Sequence, residues 1–241
     1  MQDFTTRTIR DIAVELPQTT RVFESFKIDY CCGGRKNFLD ACQNAGADPD
    51  KVLEGLSTVL NADATPDPNG RNTEPLTELV DYILDKHHVF THYEISNLPA
   101  LMDKVARVHG DHHPELLELR DQLTKLADDL TMHMYKEENV LFPFIKDLDT
   151  AVTTGTTVSR PPFGTVQHPI RMMMAEHDTD GDILKEMRRL SKDYTIPDGA
   201  CPSYAGLYTR LEALEHDLHE HIHLENNVLF PRAAELEAAA F

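Results

Sequence analysis

One eleven-residue pattern occurs twice in the second half of the chain. HMYKEENVLFP, starting at His133, and HIHLENNVLFP, starting at His221, agree at seven of eleven positions, and both carry His-x-x-x-Glu followed by x-Asn-Val-Leu-Phe-Pro. Upstream of each copy stands another histidine at nearly the same distance: His88 lies 45 residues before His133, and His177 lies 44 before His221. A helix rises about 1.5 Å per residue, so a chain that runs about twenty residues, turns and returns about twenty comes back to its starting level. His88, His133, His177 and His221, spaced 45, 44 and 44, therefore reach one height in an up-down-up-down bundle. Glu137 and Glu225 follow their histidines at i+4, which places each pair on one helix face about 5–6 Å apart at Cβ. The repeat thus directs four imidazoles and two carboxylates at one axis.

The rest of the pattern agrees. Segments from Pro75 to about Val108, Pro114 to about Leu148, Pro169 to about Tyr194 and Pro202 to about Leu236 are apolar at helical spacing, each opened by a proline suited to a first helical turn. Ahead of them, Asn61–Thr73 (NADATPDPNGRNT) interrupts all periodicity and is expected to be a linker. Residues 8–60 alternate short apolar stretches with breaks at Pro17, Gly33-Gly34 and Gly46–Pro49, which predicts three or four short helices. The expected architecture is all-α: a small helical domain over 1–60, a linker over 61–73 and a four-helix bundle over 74–241.

Charge excludes one class of partner. With 23 Lys plus Arg against 41 Asp plus Glu, the formal charge is −18, and a polyphosphate is repelled over most of the surface, so no nucleic acid is expected. No apolar run reaches the roughly 18–20 residues of a membrane helix, and Met1–Arg10 has no leader pattern, so no membrane association and a cytoplasmic location are expected. Four cysteines, at 31, 32, 42 and 201, are too few and too unevenly placed for a disulfide framework and are expected to be reduced.

Six inward-facing ionisable groups are costly in a bundle core unless a counter-charge or a metal satisfies them. A mixed imidazole and carboxylate set suits iron, manganese or zinc, and two carboxylates set between two metals bridge them. Six side chains leave open positions on two octahedral ions for oxygen species, nitric oxide or water. A single helical histidine is ordinarily a surface or hydrogen-bonded residue; it is the repeat that separates these six from that default. His92, one turn after His88, is a competing or additional ligand. His109, His112 and His113 fall at a helix turn and read as loop residues. Leu141-Phe142-Pro143 and Leu229-Phe230-Pro231 read as packing that closes the bundle end. Met172, Met173 and Met174 point in different directions around a helix and cannot converge on one ion. Glu176, rotated about 100° from His177, is assigned to a proton or access path rather than to ligation. Cys31 and Cys32, followed by two glycines, are read as reactive thiols in a flexible turn, with Arg35, Lys36 and a helix beginning near Arg35 favouring thiolate. Cys42 and Cys201 receive no role.

Taken together, Asp29-Tyr30-Cys31-Cys32-Gly33-Gly34, the doubled His-x-x-x-Glu-x-x-x-Leu-Phe-Pro and Glu176-His177-Asp178 carry a resemblance over nearly the whole chain to the RIC (YtfE/ScdA) family of iron–sulfur cluster repair di-iron proteins, whose bundle is hemerythrin-like. The resemblance implies two non-haem iron ions with an oxo or hydroxo bridge, held by His88, His133, Glu137, His177, His221 and Glu225, both glutamates bridging. It also implies repair of clusters damaged by nitrosative or oxidative stress through a supply of iron, with damaged iron–sulfur proteins and nitric oxide or oxygen species as partners. Cys31 and Cys32 are expected to act as a thiol relay. Two other functions stay open at this level: a gas-binding scavenger or sensor, and a di-iron nitrite or nitric oxide reductase. Whether the chain is an enzyme, and whether two chains pair as a homodimer through the small domain, is left open by the sequence.

Overall fold

A computed structural model describes residues 4–62 and 71–241. Among these residues every regular element is helical, apart from one isolated bridge between Thr8 and Asn37. The linker expected over 61–73 lies largely, at 63–70, outside the described residues, as do the first three residues of the chain.

Four short helices build the amino-terminal part: α1 (Ile9–Glu15), α2 (Thr20–Ser25), α3 (Phe38–Ala45) and α4 (Pro49–Ala62). Their ends follow from local chemistry. The Thr8 hydroxyl accepts from the Asp11 amide at 3.1 Å and opens α1, and the Asn37 side chain accepts from the Asp40 amide at 2.9 Å and opens α3. Gly46, at φ 65°, closes α3 in a left-handed conformation. Ile9, Ile12, Phe23, Phe38 and Leu56 are fully buried in a core of this part's own.

Four long helices follow: α5 over 76–109, α6 over 115–154, α7 (Gln167–Leu190) and α8 over 202–240. The start of α5 packs on the end of α6, α6 packs along α7, and the start of α8 packs on the second half of α5, which is the up-down-up-down arrangement. Two apolar clusters fill this bundle. One holds Leu98, Leu119, Leu126, Leu184 and Leu211; the other holds Leu79, Ile83, Ile145, Val166 and Leu229. The repeated histidines and glutamates lie between the two clusters along the bundle, in a polar layer with hydrocarbon on either side.

Two expectations change in detail. Pro75 and Pro114 immediately precede their helices, whereas Pro202 is the first residue of α8 and Pro169 the third of α7. The Leu-Phe-Pro copies do not close a bundle end, because α6 and α8 run on to Thr154 and Ala240. They are core instead: Leu141, Phe142, Leu229 and Phe230 are buried, with the Phe142 ring 5.5 Å from that of His88 and the Phe230 ring stacked 6.1 Å from that of His177. Of the three consecutive methionines, Met173 is buried and Met172 exposed, as their spacing requires.

Candidate metal centre

Three of the four bundle helices widen from α to π geometry where the repeat places its polar residues: Ile83–His88 in α5, Glu137–Leu141 in α6 and Leu224–Leu229 in α8. A π turn holds more residues per turn than an α turn and is frequently found at functional sites. Here the widened turns carry His88, Glu137 and Glu225, while His133, His177 and His221 sit on regular α-helix.

All six side chains converge, and all are buried. They form two overlapping groups, His88–Glu137–His221–Glu225 and His133–Glu137–His177–Glu225, in each of which the ligand atoms lie within 4.8 Å of one another. Both glutamates belong to both groups. His133 Nε2 and His177 Nε2 are 3.0 Å apart, and His221 Nε2 is 2.9 Å from Glu225 Oε1. Two adjacent ligands set at right angles around an ion at about 2.1 Å stand about 3.0 Å apart. His88 Nε2 and His133 Nε2 approach Glu137 Oε2 at 3.5 and 3.3 Å. Yet among the described residues His88 Nε2, both Glu137 oxygens and Glu225 Oε2 have no hydrogen-bond partner. Buried donors and acceptors left in this state are costly, and a cation between them satisfies all at once, so the residues fit a pair of cations.

Three of the four outward nitrogens are held as metal-binding imidazoles usually are, by polar groups that fix tautomer and ring angle, while His221 Nδ1 has no such partner among the described residues. His88 Nδ1 is 2.8 Å from Glu138 Oε1, His177 Nδ1 is 2.9 Å from Asn226 Oδ1, and His133 Nδ1 is 2.9 Å from Glu176 Oε2. Glu138 and Asn226 were not singled out from the sequence, though the repeat contains the signal: each directly follows a converging glutamate and supports the histidine of the helix before it. Glu176, expected in a proton or access path, instead orients His133 and is gripped by Lys136. Its carboxyl is lowered to about 2, chiefly by the His133 hydrogen bond. By the repeat's register the counterpart of Glu176 is His87, stacked 5.5 Å from His221 and bonded through Nδ1 to Asp217 at 3.0 Å. His92 does not reach the centre: its Nε2 meets Glu138 Oε1 at 2.9 Å from the exposed side.

Electrostatics within the layer are those of a cation trap. Burial works against the Glu225 carboxylate, yet His221 and His177 hold its pKa well below the usual range; Glu137 is lowered in the same way against burial by His133 and His88. Conversely, burial disfavours a charged His133, but Glu137 and Glu176 raise its pKa well above the ordinary value. The two carboxylates stay ionised.

Several of the remaining histidines have other partners. His109 Nε2 lies 3.2 Å from Cys201 Sγ, and His113 Nδ1 lies 3.0 Å from Glu115 Oε1 beside the 110–114 turn, apart from the six. His219 bonds Glu24 at 3.1 Å, and His223, held neutral by burial that lowers its pKa to about 4, bonds Asn227 at 2.9 Å.

Cys31 and Cys32 lie on a turn that enters between α7 and α8. Cys32 Sγ is 3.3 Å from the His177 carbonyl oxygen, and Asn227 Nδ2 in the widened turn of α8 donates to the Tyr30 carbonyl at 3.1 Å. The turn is tight: a Cβ on Gly34 would stand 2.6 Å from the Tyr30 oxygen, which only glycine avoids. The thiolate environment expected here is not found at Cys31. Its hydrogen bond with Cys32 and its burial raise the thiol pKa well above the ordinary value. Of the groups invoked from sequence, the helix start lies further on, since α3 begins at Phe38 under the Asn37 cap, and Arg35 reaches towards Met174 Sδ at 3.9 Å.

Comparison with known proteins covers both parts of the chain. The profile of the hemerythrin HHE cation binding domain matches residues 79–233, and that of ScdA_N, a domain of unknown function, matches residues 5–60. The iron-sulfur cluster repair protein YtfE of Yersinia pseudotuberculosis serotype IB (strain PB1/+) is 34% identical over 231 residues, covering 96% of this chain and 98% of that protein. YtfE of Yersinia pestis (strain Pestoides F) matches with the same identity and coverage. Agreement end to end with such proteins, on top of a converging histidine and glutamate layer in a helical bundle, places the chain in the YtfE family of hemerythrin-type iron–sulfur cluster repair proteins.

Proposed function

We propose that this protein repairs damaged iron–sulfur clusters by supplying iron, and that the cargo is a pair of non-haem iron ions held by His88, His133, Glu137, His177, His221 and Glu225. The observation that carries this is the sharing of both glutamates between two donor groups, so that each carboxylate would serve both ions. In this reading the chain divides, about a linker over 61–73, into a small cysteine-bearing domain and the bundle that stores iron.

Each part of the site has a task. The ionised carboxylates attract the cation, and Glu138, Asn226 and Glu176 keep His88, His177 and His133 turned inward. The apolar clusters on either side limit water, which strengthens the ionic contacts. With six side chains for two ions, coordination would be incomplete, and iron so held would be exchangeable. The Cys31 and Cys32 turn, in contact with the backbone of His177, is a soft-donor relay from the store towards a recipient.

The test is reactivation of an iron–sulfur enzyme whose cluster has been damaged by nitric oxide or peroxide. Iron-loaded protein is expected to restore activity and to lose iron in proportion. Equal restoration by metal-stripped protein or by Glu137→Gln would sink the proposal.

A further inference from the structure

We infer that Asp29, Cys31 and Cys32 form a second, separate cation site of thiolate and carboxylate character, facing a cavity between the small domain and the bundle. This deepens the relay role proposed above, and rests on it for the direction of iron movement but not for the existence of the site.

The three ligand atoms lie within 4.8 Å of one another. Cys31 Sγ donates to Asp29 Oδ1 at 3.5 Å, so one thiol already faces the carboxylate. Asp29 is fixed for this task. Its Oδ1 accepts from the backbone amides of Cys32 at 3.0 Å and Gly33 at 2.8 Å, so the carboxylate is anchored by the turn that presents the thiols. Burial alone raises the acid's pKa, but the Gly33 amide and Lys185 outweigh it, and the group stays ionised.

The site has space and a stand-in charge. A cavity of about 110 Å³ opens beside it, bordered by Asp29, Cys31, Cys32, Gly181, Lys185 and His219. A water needs roughly 10–15 Å³ of such space, so a partly hydrated ion fits. Lys185 Nζ stands 3.5 Å from Asp29 Oδ2 at the end of a side chain that is 61% exposed, and it can swing out as a cation enters. Binding a divalent ion replaces the proton on each thiol, so two protons leave to solvent and the ion gains two thiolates and a carboxylate. Thiolate selects borderline and soft cations such as ferrous iron, cobalt and zinc over magnesium or calcium.

Cobalt titration of the metal-stripped full chain, kept reduced with a phosphine and followed by absorption, tests this. Imidazole and carboxylate ligands give cobalt only weak visible bands, whereas thiolate adds an intense sulfur-to-metal charge-transfer band in the near ultraviolet. That band is expected in the wild type and in Glu137→Gln/Glu225→Gln, and is expected to vanish in Cys31→Ser/Cys32→Ser while the weak visible bands of the folded bundle persist. Asp29→Asn is expected to weaken cobalt binding at this site and Lys185→Gln to tighten it. No charge-transfer band in the wild type, or one that survives Cys31→Ser/Cys32→Ser and disappears in Cys201→Ser, overturns the inference. Unchanged affinity in both Asp29→Asn and Lys185→Gln overturns the three-donor assignment. Weak bands without the charge-transfer band refute this site alone, whereas the reverse refutes the paired store in the bundle.

Discussion

Glu137 and Glu225 are the residues on which the centre turns, because each serves both groups while every histidine serves one. Glu225→Ala is therefore expected to abolish iron binding at both positions, and His88→Ala to lose chiefly one; iron per chain by elemental analysis distinguishes them, and equal retention in both variants contradicts the sharing. The supporting residues have a graded effect. Glu138→Ala frees His88 Nδ1 and Asn226→Ala frees His177 Nδ1, and each is expected to lower cation affinity about 10–100-fold in chelator competition, with iron still binding at saturation. An unchanged affinity removes them from the site. The six converging residues were legible in the sequence because the repeat fixes both their identity and their level in the bundle. Glu138 and Asn226 were not, because one is a carboxylate and the other an amide, and a polar residue beside a ligand ordinarily faces water.

At the scale of elements, the contact between α2 and α8 is set by titration. Glu24 bonds His219 at 3.1 Å and Tyr30 at 2.8 Å. Burial opposes charge on His219, but the bond to Glu24 raises its pKa from 6.5 to about 9. A histidine whose folded value exceeds its unfolded one contributes fully below about pH 6.5, and that contribution is lost as pH rises through about 9. Urea unfolding of the metal-stripped protein is expected to show stability falling across this window by on the order of 3 kcal/mol at most, and His219→Gln to flatten the fall; an identical slope in the variant rules the contact out as its cause. The long helices were legible from apolar periodicity. Their π turns were not, because a His and a Glu four apart read alike on either side of an α-to-π junction. The start of α3 was misplaced because Arg35 and Lys36 drew attention from Asn37, whose side chain is what caps the helix.

Across the whole molecule, a polar layer of buried groups lies between two hydrocarbon clusters, and its satisfaction depends on what it binds. A ligand that binds only the folded chain stabilises it by about 4 kcal/mol at a thousandfold excess over Kd. Chelation is thus expected to lower the melting temperature by several degrees, and added zinc to raise it again; a melting temperature indifferent to both would mean that the layer is satisfied from within. No described helix is long and apolar enough to cross a membrane. How the small domain docks was beyond the sequence, since it depends on Asn227 meeting Tyr30 and on Cys32 meeting His177, pairs nearly 200 and 145 positions apart along the chain. Those two fastenings, together with the bond from Glu24 to His219, make the small domain a lever. A molecule that grips it and pulls would strain the backbone beside His177 and the turn bearing Glu225 before His88, so mechanical work done at the surface would fall unequally on the two donor groups.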